Sequence, residues 1–284
     1  MLQEPSLIDA HTHVQFAAYN EDRESVIKRA LAAGIWMVNV GTQLGTSKEA
    51  VALAEKYPEG IYATVGLHPI HTDKSFHDSQ ELGADQSFTS RGEVFDYDAY
   101  KNLAQHPKVV AIGECGLDYY RITNDELGIK EEVKEKQKEA FIQQIELAYE
   151  LRKPLMIHCR NAFSDLVDIL VACRMSLVSP PGIIHFFSGE LPQATQLLDM
   201  GFYFTFGGVV TFARDYDEII KSIPLERILL ETDAPYITPA PYRGKRNEPL
   251  YVAEVAKKLA EIKGVSLDEI QHHTLENSCA IFKI

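Results

Sequence analysis

No stretch of this chain approaches the ~20 consecutive apolar residues needed to cross a bilayer. Its first residues, Met1-Leu2-Gln3-Glu4-Pro5, lack the basic start and apolar segment of a secretion signal. The expected compartment is therefore the cytoplasm, without membrane association. Cysteine is scarce: Cys115, Cys159, Cys173 and Cys279 stand apart, without the paired spacing of a structural zinc site or a redox motif. They read as reduced thiols, mostly buried as small apolar residues. Positive charge is in short supply too, with 28 Lys and Arg against 41 Asp and Glu and a formal net charge of −13. That balance argues against a protein that coats nucleic acid non-specifically, but bound cations and a few arginines can still reverse the potential inside one cleft. Acidic stretches such as 130–139 read as solvated helix faces with i,i+4 pairing. No internal repeat, low-complexity tract or Gly/Ser-rich linker divides the chain, so residues 1–284 read as one domain.

What is present is an alternation. Apolar, β-branched runs recur at Leu7–Ala10, Ile35–Val40, Ile61–Val65, Val109–Ile112, Leu155–Ile157, Ile183–Phe187, Phe202–Phe206 and Ile228–Leu230. Helical patterns separate them, as βα units with a parallel sheet require. Phe141, Ile145 and Ala148, like Val252, Val255, Ala256 and Leu259, form stripes that face a core. Thr46 with Glu49 and Ser266 with Glu269 have the spacing of capping boxes at helix starts. Eight strands with 284 residues and 45% hydrophobic content predict an α/β fold, a closed (β/α)8 TIM barrel. The irregular segment at about 71–96, after the third strand, reads as a loop insertion, either a flap over the site or a neutral addition.

In such a barrel the chemistry sits where the strands end. His11 and His13 follow the first strand, on one face at i and i+2, so both imidazoles can reach one ion. His68 follows the third strand, Glu114 the fourth and His158 the fifth; His185 lies within the sixth, and Asp233 follows the eighth. Singly, each has an ordinary structural role as a hydrogen-bonded core histidine or a helix cap. Together they converge on one mouth. Four imidazoles (His11, His13, His158, His185) and two carboxylates exceed what one tetrahedral ion takes with a position left open, and suit two ions that share a bridging carboxylate.

The motifs around these residues are His11-Thr12-His13, Gly113-Glu114-Cys115-Gly116-Leu117-Asp118, His158-Cys159-Arg160 and Phe187-Ser188-Gly189. They continue through Glu231-Thr232-Asp233-Ala234-Pro235, the Arg243–Pro249 stretch and Asn277. With them the chain resembles, over essentially its whole length, the TatD family of metal-dependent deoxyribonucleases within the amidohydrolase superfamily. The resemblance implies that His11, His13, Glu114 and Asp233 hold one metal while Glu114, His158 and His185 hold the second. A glutamate can bridge two cations through its two oxygens, so no carbamylated lysine is required at that position. The 71–96 segment is longer than this region commonly is in the family.

The implied reaction is hydrolysis of DNA phosphodiesters by an activated water, with Asp233 as its base and Glu114 as shared ligand, in the manner of an exonuclease on single-stranded ends. Arg160 and Arg243 have the chemistry to clamp a phosphate bidentately, and His68 to donate to a phosphate oxygen. Tyr119, Tyr120, Phe187 and Tyr236 can stack on bases. The expected cofactors are two divalent cations, Zn, Mn or Mg; imidazoles favour the softer ions and availability favours Mg. The expected partner is nucleic acid as substrate, without an obligate protein partner. Two other readings stay open: a metal-dependent hydrolase of a carbonyl ester or amide, including an aminoacyl-tRNA ester, and a barrel turned binding protein, against which the intact ligand set speaks.

Overall fold

The computed structural model describes residues 4–73, 79–82, 92–120, 122 and 130–284. Eight parallel strands close into a barrel in chain order: β1 (Leu7–Thr12), β2 (Ile35–Val40), β3 (Ile61–Val65), β4 (Val109–Asp118), β5 (Leu155–Arg160), β6 (Gly182–Ile184), β7 (Tyr203–Phe206) and β8 (Ile228–Leu230). Around them, among the described residues, run α1 (Arg23–Ala32), α2 (Leu44–Glu55), α3 (Ser79–Leu82), α4 (Tyr97–Ala104), α5 (Lys130–Leu151), α6 (Phe163–Ala172), α7 (Leu191–Asp199), α8 (Asp217–Ser222), α9 (Val252–Lys263) and α10 (Leu267–Phe282). The expected TIM barrel is the observed fold. Five of the eight strands are buried at every position, as expected of a parallel sheet covered by helices on its outer face. The stripes of α5 and α9 are buried: Phe141, Ile145 and Ala148 on the first, Val252, Val255, Ala256 and Leu259 on the second.

Three boundaries differ from the sequence reading in ways that affect the site. β4 does not stop at Ile112; it runs on to Asp118 through a register shift against β5 between Ile112 and Cys115. Gly113 and Gly116 permit close packing of this strand against β5. A Cβ on Gly113 would lie 2.3 Å from the Met156 carbonyl oxygen, and one on Gly116 would lie 2.1 Å from that of His158. Their φ values of 150° and 125° are also disfavoured for any side chain. Glu114 and His158 therefore lie inside their strands, whereas β6 ends at Ile184 and leaves His185 just beyond it.

The capping boxes divide. Ser266 caps α10 by accepting from the Glu269 N–H at 3.1 Å. Thr46 is not an N-cap: α2 begins two residues earlier, and Thr46 Oγ1 reaches back to accept from Gln43 N at 3.1 Å. The acidic face of α5 carries the expected short-range pairs, Lys134 with Glu131 and Lys136 with Glu132. The insertion at 71–96 is described only at 71–73, 79–82 and 92–96, and the rest lies outside the described residues. No helix among the described residues is long and apolar enough to cross a membrane.

Candidate active site

The C-terminal ends of the strands enclose a cavity of about 310 Å³ whose lining includes His13, His68, Glu114, His158, Arg160, His185 and Asp233. His11 lies fully buried beneath it, its ring stacked on that of His185 at 3.6 Å between centroids. Glu114 stands at the centre, and its two oxygens face different partners. Oε2 lies 3.4 Å from His11 Nε2, while Oε1 lies 3.0 Å from His158 Nδ1 and 3.5 Å from His185 Nε2. On the Oε2 side, the His11 and His13 Nε2 atoms are 3.2 Å apart, and Asp233 Oδ1 lies 3.4 Å from His13 and 3.8 Å from His11. Asp233 reaches this place with φ 55°, a left-handed conformation pinned by its N–H donating to the His11 carbonyl at 2.9 Å.

The outward nitrogen of each imidazole determines what faces inward. His13 Nδ1 meets the Val40 carbonyl at 2.7 Å, a group that can only accept, so the proton sits on Nδ1 and the Nε2 lone pair points into the site. His185 Nδ1 donates to Glu231 Oε2 at 2.8 Å, and His158 Nε2 to Asp118 Oδ2 at 3.0 Å. Once neutral, both therefore aim a lone pair at Glu114. Lone pairs and carboxylate oxygens within 4 Å of one another repel unless cations lie among them. The groups His11/His13/Glu114, His11/His185/Asp233 and His68/Glu114/His158 each bring ligand atoms within 4.8 Å, the donor set of a metal site.

His68 is the exception within that cluster. Its Nδ1 accepts from the Ile70 N–H at 3.1 Å, so the proton resides on Nε2, which donates to Glu114 Oε1 at 3.2 Å. Burial pulls its pKa down to about 4, so it is a neutral donor near pH 7. His158 and His185 go the other way. Burial works against their charge, but Asp118 and Glu114 push the first up to about 9, while Glu231 and Glu114 push the second up to about 10. Burial would raise the Glu114 and Asp233 carboxyls, yet the surrounding imidazoles hold both below their usual values.

The other residues expected at the mouth separate. Arg160 lines the cavity with its guanidinium stacked over the Tyr120 ring at 3.5 Å, and Tyr236 lines it as well. Arg243 does not line the cavity: it stacks on Phe212 at 4.0 Å and donates to the Thr238 carbonyl at 2.9 Å. Its guanidinium thereby ties the loop after β8, at Thr238, to Phe212. Arg246 is likewise engaged, bidentate on Asp22. Of the aromatics, Phe187 is a core residue and Tyr119 is buried and bonded to Asp165. That leaves Tyr120 and Tyr236 at the opening.

Sequence reasoning missed the carboxylates behind the ligands. Asp118 and Glu231 lie in the motifs quoted above, but nothing in their spacing shows that they hold His158 and His185. Glu231 also accepts from Thr205 Oγ1 at 2.7 Å, which fixes its orientation. Glu81 and His71 of the described part of the insertion line the cavity beside Thr42, 3.4 Å apart. Partners of this kind fix the tautomer of a metal-binding histidine and raise its basicity. Glu231→Gln is accordingly expected to weaken metal affinity by about 10- to 100-fold with little change in Tm, measured by competition with a chelator.

The sequence model for the family described as TatD related DNase matches residues 8–283. The chain belongs to this family. Among TatD relatives, the uncharacterized metal-dependent hydrolase YabD of Bacillus subtilis (strain 168) is 40% identical over 281 residues, 98% of this chain and 99% of its own. A 3'-5' ssDNA/RNA exonuclease TatD of Erwinia tasmaniensis is 32% identical over 281 residues, 96% of this chain and 97% of its own. In structure, the TatD homolog YJJV of Escherichia coli K12 superposes with a TM-score of 0.81 at 28% identity, covering 98% of both chains. This TatD-family barrel is thus related throughout its length to metal-dependent hydrolases, and it presents the His, Glu and Asp clusters that such chemistry requires.

Proposed function

We propose that this barrel is a two-metal phosphodiesterase that hydrolyses DNA from single-stranded ends. The observation that carries this reading is Glu114, whose Oε2 faces His11 and whose Oε1 faces His158 and His185. In it, His11, His13, Glu114 and Asp233 hold one divalent cation, and Glu114, His158 and His185 hold a second. Two cations so placed supply Lewis acidity, lowering the pKa of a water toward ~7 and offsetting charge that builds on phosphorus. The chain's own residues do the rest. Asp233 is the more exposed of the two central carboxylates and, ionised at neutral pH, orients the attacking water and accepts its proton. His68, neutral with Nε2 protonated, donates to a phosphate oxygen.

The choice of phosphodiester over a neutral ester or amide rests on Arg160, among the described residues the one lysine or arginine lining the cavity. That exonuclease names occur among relatives supports a nucleic-acid substrate. The test is metal analysis of the purified protein together with hydrolysis of 3′-labelled and 5′-labelled single-stranded oligonucleotides. Release from one end with two ions per chain is expected. Turnover of an aminoacyl ester with none of DNA would overturn the assignment.

Two further results are expected. Arg160→Ala should lower kcat/KM on DNA by about ten- to a hundredfold, the loss of a charge-assisted bond of ~1.5–3 kcal/mol. Arg243→Ala, placed outside the cavity, should leave kcat/KM within about threefold and act on Tm instead. Equal losses for the two variants would contradict the placement. Metal affinity should rise with pH: without metal, His158 and His185 stay protonated up to about 9 and about 10, and both protons must leave before the lone pairs can bind. Loading at pH 7 should release about two protons per chain. Calorimetry in buffers of different ionisation enthalpy measures that number, and a value near zero would contradict the ligand roles of these histidines.

A further inference from the structure

The face of the barrel opposite the mouth carries a groove that the hydrolytic site does not use. Three cavities of about 450, 360 and 350 Å³ lie across the ends where β4 to β8 begin. They are continuous, the first sharing Ser179 and Pro180 with the second and Arg152 and Lys283 with the third. Five cations from four segments line it: Arg152 with Lys153, Arg174, Arg227 and Lys283. The one acidic side chain in the lining, Glu150, is already held by Lys101 at 2.5 Å and the Tyr97 hydroxyl at 2.8 Å. Cations therefore outnumber acidic side chains in the described lining.

Among the described residues, fewer than half of the lysines and arginines have a carboxylate within 4 Å. Lys28, Lys134, Lys136, Lys138, Lys221 and Lys257 all have one. Among the described residues none of the five groove cations has such a partner, and Lys153 is further disfavoured as a cation by burial and by the charge of Lys283. Two of the five occupy strained backbone. Arg152 (φ 53°) and Lys283 (φ 56°) take the left-handed position just past α5 and α10, where α9 ends in Gly264. Glycine suits that conformation and a long side chain does not. A helix dipole favours a cation at each of those ends, but it does not gather Arg174 and Arg227 beside them. Tyr149 is 54% exposed beside these charges, whereas Tyr203 is buried beneath Arg227 at 4.9 Å. Lys153 Nζ donates to the Val109 carbonyl and Arg227 to that of Gly201 at 3.4 Å, but a carbonyl carries no net charge to offset a cation. Cations without a carboxylate partner along a groove, with an exposed aromatic beside them, have the chemistry that tracks a phosphate backbone.

We propose that this basal groove binds single-stranded nucleic acid as an anchoring site without catalysis. Its use in substrate capture rests on the nucleic-acid reading of the mouth; its binding of a strand does not. The two faces are separated by at least the length of a six-residue strand, roughly 20 Å, so only an oligonucleotide long enough to pass around the barrel can occupy both.

The test removes charge where the fold tolerates it. Glycine relieves the backbone at two of the positions, so the triple variant Arg152→Gly, Arg174→Ser, Lys283→Gly should keep the wild-type Tm. In a Glu114→Ala background, which prevents cleavage, fluorescence anisotropy with a labelled oligomer of about thirty nucleotides should show a 10- to 100-fold loss of affinity at low salt. The slope of log affinity against log salt should shrink by about 2 for three lost phosphate contacts on a single strand. With Glu114 intact, KM for the long oligomer should rise while kcat/KM for a dinucleotide stays unchanged. Unaltered affinity and salt slope would overturn the proposal, as would equal losses on long and short substrates. So would binding of phosphatidylglycerol vesicles by a protein whose groove takes up no oligonucleotide. A protein that hydrolyses no nucleic acid yet loses oligomer binding in the triple variant would sink the catalytic reading and leave the groove standing.

Discussion

Glu114→Ala is expected to bring hydrolysis to background, a loss of at least about 10³-fold or ~4 kcal/mol of transition-state stabilisation. The barrel should remain folded. One side chain supplies an oxygen to the His11 side and another to the His158 and His185 side, so its removal dismantles both halves of the site at once. It also leaves His158 and His185 without an anion that helps hold their protons, so the variant should show depressed pKa values for these two histidines by NMR. The packing beneath the site, Ile112, Met156 and Leu229 among it, is untouched. Near-wild-type turnover of Glu114→Ala in metal-replete buffer would refute the bridging role.

Asp233→Asn separates the two roles proposed for this residue. An amide oxygen can still approach a cation beside His11 and His13, but it cannot accept a proton. Activity should therefore fall by about 10²- to 10⁴-fold, the range for loss of a general base, while metal content falls by less than half. The φ of 55° at this position favours the substitution, since asparagine tolerates the left-handed region. The pH profile adds a second check: the acidic limb of kcat/KM, set by the depressed Asp233 carboxyl, should disappear. Parallel loss of metal and activity would make Asp233 a ligand without a role in proton transfer.

Most of this site is legible in the sequence because a barrel turns chain order into position. A polar residue that closes an apolar run has one place to go, and His11, His13, Glu114, His158, His185 and Asp233 all gather within a few ångströms of one carboxylate. What the sequence does not reveal depends on side-chain direction across neighbouring strands. Asp118 finds His158 because the register of β4 against β5 sets Gly116 beside His158, and that register follows a shift between Ile112 and Cys115. Glu231 finds His185 across β7 with Thr205 between them, a contact between residues 46 apart in sequence. Arg243 fails for the opposite reason: proximity to β8 in sequence does not fix the course of a loop, and the Phe212 ring and Thr238 carbonyl claim its guanidinium. The basal cations escape a motif search altogether, since Arg152, Arg174, Arg227 and Lys283 become neighbours only when the barrel closes.

The shared carboxylate is tested most directly by electron paramagnetic resonance of the protein loaded with Mn(II). Two ions bridged by Glu114 at the ~3.5–4 Å of a two-metal site should give an exchange-coupled spectrum at two equivalents, and activity should follow the growth of that signal. Full activity at one equivalent, or two equivalents that retain the separate six-line pattern of isolated Mn(II), would contradict it.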